Sequence, residues 1–281
     1  MQRIALVTDS ASDLPPELVT ALDATVVPLL VYFGDEEIRA SDLPPAAFWD
    51  RMTQPGAPLP RTSACSPADF LAAFQACFDG GAEAIICVTV GGKLSATLKS
   101  AQIAAQQLAP REIHVIDSDC ASMGEGLLLQ VAAALRDAGE PAAAIAERTI
   151  ARAADLRFYV VLETLEYLRR GGRISGAQAA IGSVLSVKPI ITIKDGVVEA
   201  LDRVRTRSKA RERVLELITA RPLDRVAILH ADTTEIGAFR EEVMARSGLA
   251  PDRVSVAVIG PSIGPHVGPG AYGAVCLYRP S

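Results

Sequence analysis

EAIICVTVGGKLSATLKSAQIAAQQLAPREIHVID, residues 83–117, sets the architecture of the chain. Residues 83–90 form an almost unbroken apolar run rich in β-branched side chains, the pattern of a strand buried on both faces. Gly91-Gly92 breaks the run. Residues 95–108 carry apolar groups at helical spacing, and 112–117 return to a short strand pattern. Strand, helix and strand in so short a length make a parallel βαβ unit.

The same alternation extends outward in both directions. Upstream, residues 2–8 read as a buried strand and 14–22 as a helix capped by Ser12 or Asp13. A strand over 24–33, a Pro-rich loop at 54–60 and a helix over 67–78 follow. The string SDLPP occurs at Ser12–Pro16 and again at Ser41–Pro45. Each copy precedes a helix and reads as one capping solution used twice, an Asp or Ser acceptor with Pro in the first turn. Downstream come helices over 121–138 and 141–154, with a change of character near residue 150. The second half has strands at 157–162, 187–194, 224–230, 253–259 and 273–279, and helices at 207–219 and 234–246. A short helix and a break at Gly171, Gly172 and Gly176 lie between its first two strands. Asp195-Gly196 sits between ITIK and VVEAL, a strong hairpin signal. The expectation is two α/β domains: a Rossmann-like parallel sheet over 1–150, and a mixed sheet with helices over 151–281.

Composition narrows the function classes. Of 281 residues, 49% are apolar and 5% aromatic, so the core is built from Ala, Val, Leu and Ile. The net charge of −5, without clustered Lys and Arg over the chain as a whole, argues against a nucleic-acid partner. Five cysteines at irregular spacing suggest neither a disulfide framework nor a zinc site, and no metal or cofactor is expected. No stretch is apolar enough to span a bilayer, and the N-terminus reads as a first strand rather than a leader. A cytoplasmic location is expected.

Four polar or Gly-rich segments stand at strand ends, where open α/β sheets bind ligands. Thr8-Asp9-Ser10 follows the first strand; Asp9 orients either a ligand or, through an Asx-turn, its own loop. In Arg61-Thr62-Ser63-Ala64-Cys65-Ser66-Pro67, a capped helix start explains Ser66 and Pro67 but not the hydroxyls of Thr62 and Ser63. Gly91–Thr97 opens a helix, whose N-terminal N–H groups favour anions, although Ser95 or Thr97 also serves as an ordinary cap. It is neither a phosphate-binding loop of the G-x-x-x-x-G-K-[ST] type nor a nucleophile elbow. The loop Ile259–Gly270 fixes His266 among four glycines and three prolines. His114 and His230 lie in or at strands and read as structural. A Ser95, His266 and Asp9 or Asp117 hydrolase lacks the supporting motif.

Taken together these segments resemble the DegV family over nearly the whole chain. They run in order from VTDSASDL through TSACSP, KLSAT, DSDCASMGEG, LEYLRRGGRIS, LSVKPIITIKDG and VRTRSKA to IGPSIGPHVGPGAYG. The resemblance implies a lipid-binding carrier, not an enzyme. It would hold a long-chain fatty acid in the cleft between two domains and present the carboxylate to a separate ATP-dependent fatty acid kinase that makes acyl phosphate for phospholipid synthesis. Carried over, the carboxylate would lie on Thr62 or Ser63, Ser95 and His266. Asp9, Ala96, Thr97, Gly172, Arg173 and Gly268 would support the pocket or its loops. Arg170 and Arg173 would form its rim or hold the loop. The basic stretch Arg203–Lys209 reads either as a solvated strand end and helix start or, through Arg203 and Arg205, as a docking face for the kinase partner. A protonated His266 would add charge and respond near neutral pH. The chain departs from the family pattern at Gly91, Gly92 and Ala96, beside the carboxylate site. The alternative is a kinase-like subunit holding a small carbonyl or phosphate compound through His266. A long apolar tunnel would favour lipid, and a small polar cup the alternative. A third class is a lipid-sensing regulatory module.

Overall fold

The computed structural model describes residues 2–174, 187–233 and 236–280. Gly176, Ser175 of the RGGRIS motif, Leu185-Ser186 of LSVKP and the first two residues of the helix expected over 234–246 lie outside the described residues.

A parallel sheet of order β2-β1-β6-β7 is built from Ala24–Val27, Ile4–Asp9, Ala84–Thr89 and Glu112–Asp117. A mixed sheet of order β10-β9-β8-β13-β11-β12 is built from Val197–Val204, Lys188–Lys194, Leu156–Val161, Tyr272–Tyr278, Leu223–His230 and Val254–Val258. A small antiparallel sheet joins β3 (Leu30–Phe33) to β4 (Glu36–Arg39) and β5 (Arg61–Ser63). This is the two-domain α/β arrangement expected from the alternation of strands and helices.

Burial patterns explain how the layers stack. β1 and β6 are buried on both faces. Val7, Ile85 and Cys87 pack on helices α3 (Pro67–Asp79) and α4 (Thr97–Gln107). Leu6, Ile86 and Val88 face the opposite way into a core shared with the mixed sheet. Helix α5 (Met123–Asp137) lies in that middle layer, against β1 and β6 on one side and β8, β11 and β13 on the other. A helix apolar nearly all round must be buried, and MGEGLLLQVAAALRD is such a sequence. The outer face of the mixed sheet is covered by α8 (Arg207–Ile218) and α9 (Ile236–Ser247), through Val214, Leu215, Ile218, Phe239 and Val243.

Two local expectations need correction. The strand expected over 24–33 is two strands in two sheets, because Pro28 has no N–H to continue a ladder. The SDLPP segments do place Pro at the first turn of α1 (Pro16–Leu22) and α2 (Pro45–Met52), but the N-caps are Pro15 and Pro44, and neither helix has a side-chain cap. Asp13 instead stands in the left-handed region, and its carboxylate accepts from Ser122 Oγ at 2.6 Å and Gly260 N at 2.8 Å. Ser66 does cap α3, in a reciprocal capping box with Asp69. The Asp195-Gly196 turn has φ of 49° and 71°, as a type I′ hairpin requires, and joins β9 to β10.

Candidate functional site

The carboxyl ends of β1, β2, β6 and β7 point at the inner face of the mixed sheet, and a pocket of about 650 Å³, mouth included, lies between them. The loops after those four strands contribute Ala11, Leu29, Val90, Leu94 and Ala121. The mixed sheet contributes Phe158, Ile191, Ile193 and Val198, and helix α7 (Glu166–Arg170) adds Leu168. The closing Gly/Pro loop adds Ile263 and Val267. Few of the lining side chains are polar: Thr62, Ser95, Arg173, Ser262 and His266. A pocket so lined suits an apolar ligand with one polar end.

Four of those polar groups are set by their local backbone. Strand alternation decides between the two hydroxyls of β5: Thr62 faces the pocket, whereas Ser63 is exposed and lines none of it. Thr62 Oγ1 is 2.9 Å from His266 Nε2. His266 lies on the short helix α10 (Gly264–Val267), and its Nδ1 is buried with no hydrogen-bond partner among the described residues. Gly171 packs against that ring so closely that an added Cβ would stand 2.3 Å from Nδ1. Ser95 Oγ lies 2.9 Å from Thr97 Oγ1 and accepts from Thr97 N at 3.3 Å. Arg173, half-buried, donates through Nε to Leu94 O at 3.1 Å and through Nη1 to Gly171 O. Gly268, at φ of 75°, closes α10, and a Cβ there would meet the Tyr167 ring at 2.2 Å.

Electrostatics distinguish the two basic groups. Burial, with the Arg173 cation nearby, lowers the His266 pKa to about 4. His266 is therefore neutral at physiological pH, which corrects the expectation of a charge responding near neutrality. Burial also lowers the Arg173 pKa, but a guanidinium retains its charge. Arg173 is the fixed cation of the pocket.

A second cavity of about 840 Å³, mouth included, meets three of these groups. Thr62, Arg173 and His266 line it together with Leu59, Arg61, Tyr167 and Arg170. Thr62, Arg173 and His266 thus stand between the apolar pocket and a second cavity bordered by the exposed Leu59, Arg61 and Arg170. Arg170, on the rim, is paired with Glu166 at 2.7 Å.

Buried carboxyls hold the loops that carry these residues. Asp9 accepts from Ala11 N at 2.8 Å and Val90 N at 3.0 Å, so it organises two loops and lines no part of the pocket. Burial raises its pKa to about 6, and that of Asp13 to about 7. Glu125 accepts from Thr8 Oγ1 and from Asp9 N at 3.1 Å, and burial raises its pKa well above the ordinary carboxyl value. Glu125 carries no motif of its own; only its place inside the apolar helix α5 hints at it.

The remaining candidates separate. Helix α4 begins at Thr97 with Ala96 as its cap, two residues later than expected, and Ala96 is exposed. Gly172 is exposed at φ of 69°. At Gly92 a Cβ would stand 2.6 Å from Leu98 Cδ2 and 3.0 Å from Asp117 Oδ2, so a side chain there would require the Leu98 side chain to shift. Arg203 and Arg205 are exposed and away from the pocket. His114 bonds Glu112 and His230 accepts from Thr233 N, both local roles. Asp117 accepts from Gly92 N and Asp119 N, so neither it nor Asp9 orients His266, and no hydrolase triad is assembled. The wall residues Phe158, Ile191, Ile193 and Val198 were not distinguishable in sequence from ordinary core.

Comparison with known proteins gives a consistent result. The family model described as uncharacterised proteins of the DegV family matches residues 3–279. A DegV domain-containing protein of Streptomyces coelicolor is 34% identical over 287 residues, covering 99% of each chain. A DegV family protein from Thermus thermophilus, whose structure describes fatty acid binding, superposes with a TM-score of 0.90 at 37% identity, over 99% of this chain and 100% of that one. A stearic-acid-binding protein from Eubacterium ventriosum superposes with a TM-score of 0.86 at 27% identity, over 99% of this chain and 98% of that one. No described helix is long and apolar enough to cross a membrane.

Proposed function

The chain belongs to the DegV family, and from that premise we propose that it is a carrier that binds one long-chain fatty acid non-covalently, tail in the inner pocket and carboxylate at Thr62, Ser95, Arg173 and His266. The ligand lies between two units divided near residue 150. The observation that carries this reading is the position of Thr62, Arg173 and His266 between the apolar pocket and the second cavity. Relatives of the same fold that bind fatty acids support it.

The energetics fit. Burying about 15 methylenes at about 0.8 kcal/mol each contributes roughly 12 kcal/mol before ordering and association costs. A carboxylate in such a pocket must be hydrogen-bonded and paired, or its desolvation cancels the gain. Arg173 supplies the charge. Neutral His266 fixes the Thr62 hydroxyl, and Ser95 adds a second hydroxyl.

In this reading the chain performs no chemistry on the acid. It offers the carboxylate through the second cavity to a separate ATP-dependent fatty acid kinase, with exposed Arg203 and Arg205 as part of the docking face. The test is titration with palmitic acid beside hexadecanol. Saturable binding with at least about tenfold preference for the acid supports the reading; equal binding, or none, contradicts it. For the partner, charge reversal at Arg203 and Arg205 should weaken kinase association and leave palmitate binding unchanged. Equal loss of both would remove the docking role.

A further inference from the structure

The mixed sheet is split at the far wall of the pocket. β8 and β9 are neighbours, yet their ladder holds only at Val160 with Ile191 and Val161 with Ile190. Continuing that antiparallel register would pair Phe158 with Ile193, but no such pairing exists. Leu156–Tyr159 and Thr192–Lys194 remain attached only to their outer neighbours, β13 and β10. The space between them is a cavity of about 1140 Å³, mouth included, lined by those two strand segments, by Ser118, Asp119 and Cys120 of the loop after β7, by Ala153, Ala154 and Asp195, and by Leu201 and Leu217.

Phe158 and Ile193 line both this gap and the inner pocket. Phe158 is 3% exposed. One layer of side chains therefore separates the two spaces. Leu201 has an unusual position: Ala200 pairs with Ile191 and Asp202 with Ile190, so Leu201 is the extra residue of a bulge. A bulge re-aims its side chain, and Leu201, 43% exposed, is directed to the gap.

We propose that this gap is a tail port: the methyl end of an acyl chain longer than the inner pocket holds passes between Phe158 and Ile193 and lies against Leu201 and Leu217. The proposal rests on the fatty-acid reading above. The gap's own lining is mixed, with Ser118, Asp119, Arg157, Lys194 and Asp195 beside the apolar side chains, and its occupant follows from continuity with the inner pocket through Phe158 and Ile193. The carboxylate is held in that pocket, so what reaches the gap is the tail. Arg157 lies at the gap and donates to the carbonyls of Ala154 and Leu156, satisfying part of the open strand edge within the chain itself.

The test compares palmitic acid with behenic acid, which is six carbons longer, on the wild type, Leu201→Trp and Phe158→Ala. Leu201 touches only the gap, so Leu201→Trp should fill it from outside. Behenate binding should fall about tenfold, the worth of two methylenes, with palmitate unchanged. Phe158→Ala should widen the passage and raise the ratio of behenate to palmitate affinity by a similar factor. Leu201→Trp is at an exposed site and keeps the test decisive should Phe158→Ala fold poorly. Intact palmitate binding with a behenate response no different from palmitate's in Leu201→Trp overturns the port alone. A wild type that binds neither acid overturns the fatty-acid reading and the port with it.

Discussion

The two walls of the pocket are built differently. The wall from the parallel sheet is made of loops at strand ends, and its side chains are placed by hydrogen bonds: Asp9 to Ala11 N and Val90 N, Asp13 to Ser122 and Gly260, Ser95 to Thr97. The wall from the mixed sheet is made of strand interiors, and Phe158, Ile191, Ile193 and Val198 are placed by period-two alternation alone. In the proposed reading, loops hold the head group and the sheet supplies the apolar surface for the tail. Arg173 and His266 come from the second half of the chain but, like the donors opposite, sit on Gly-rich loop or short-helix segments rather than on strands.

That contrast predicts that head-group substitutions discriminate acid from alcohol and wall substitutions do not. The largest effect belongs to Arg173→Met. Removing the one fixed cation opposite a buried carboxylate should cost about 3 kcal/mol or more, a loss of roughly a hundredfold in palmitate affinity. Hexadecanol binding should be little changed, which a paired titration reads directly. Thr62→Val should weaken palmitate about tenfold, the worth of one hydrogen bond to a charged group, whereas Ser63→Ala on the other face of β5 should change nothing. Equal loss in both would mean that the strand alternation has been misread. Val198→Ala, on the wall, should cost about 1 kcal/mol for acid and alcohol alike.

The smallest effect concerns the loops and is read as stability. Asp13 has its folded pKa raised to about 7 and Asp9 to about 6, so the folded state holds protons that the unfolded state has released. Stability from these groups is present below the ordinary carboxyl range and is lost as pH rises through about 7. His266, lowered to about 4, acts in the opposite sense and only below about pH 6.5. Thermal melts between about pH 6.5 and about pH 8 should therefore show the wild type falling as pH rises and Asp13→Asn falling less. Parallel curves would show that Asp13 titrates as it would in water.

The same contrast explains what could be read from sequence. Loop positions announce themselves because polar and Gly-rich residues interrupt apolar runs, so Thr62, Ser95 and His266, which line one pocket, stood out as candidates. Their division of labour was not. Nothing in HVGPG says that its imidazole is desolvated and faces Arg173, and the choice between Thr62 and Ser63 required knowing that β5 pairs with β3. Asp13 read as a helix cap because its acceptor groups suit one; its true partners lie 109 and 247 residues away. Order and type of elements were legible because buried parallel strands and the Asp-Gly hairpin have strong local signatures. The split between β8 and β9 was not, since RFYVVL and KPIITIK read as unbroken strands.

The central claim is that an acyl chain occupies the inner pocket with its carboxylate on Arg173 and the hydroxyls. Mass spectrometry of small molecules released from purified wild-type protein and from Arg173→Met tests it most directly. The expected result is a near-stoichiometric long-chain fatty acid in the wild type and a greatly reduced amount in the variant. An empty wild type that also takes up no added acid, or equal loading of the two proteins, would contradict it.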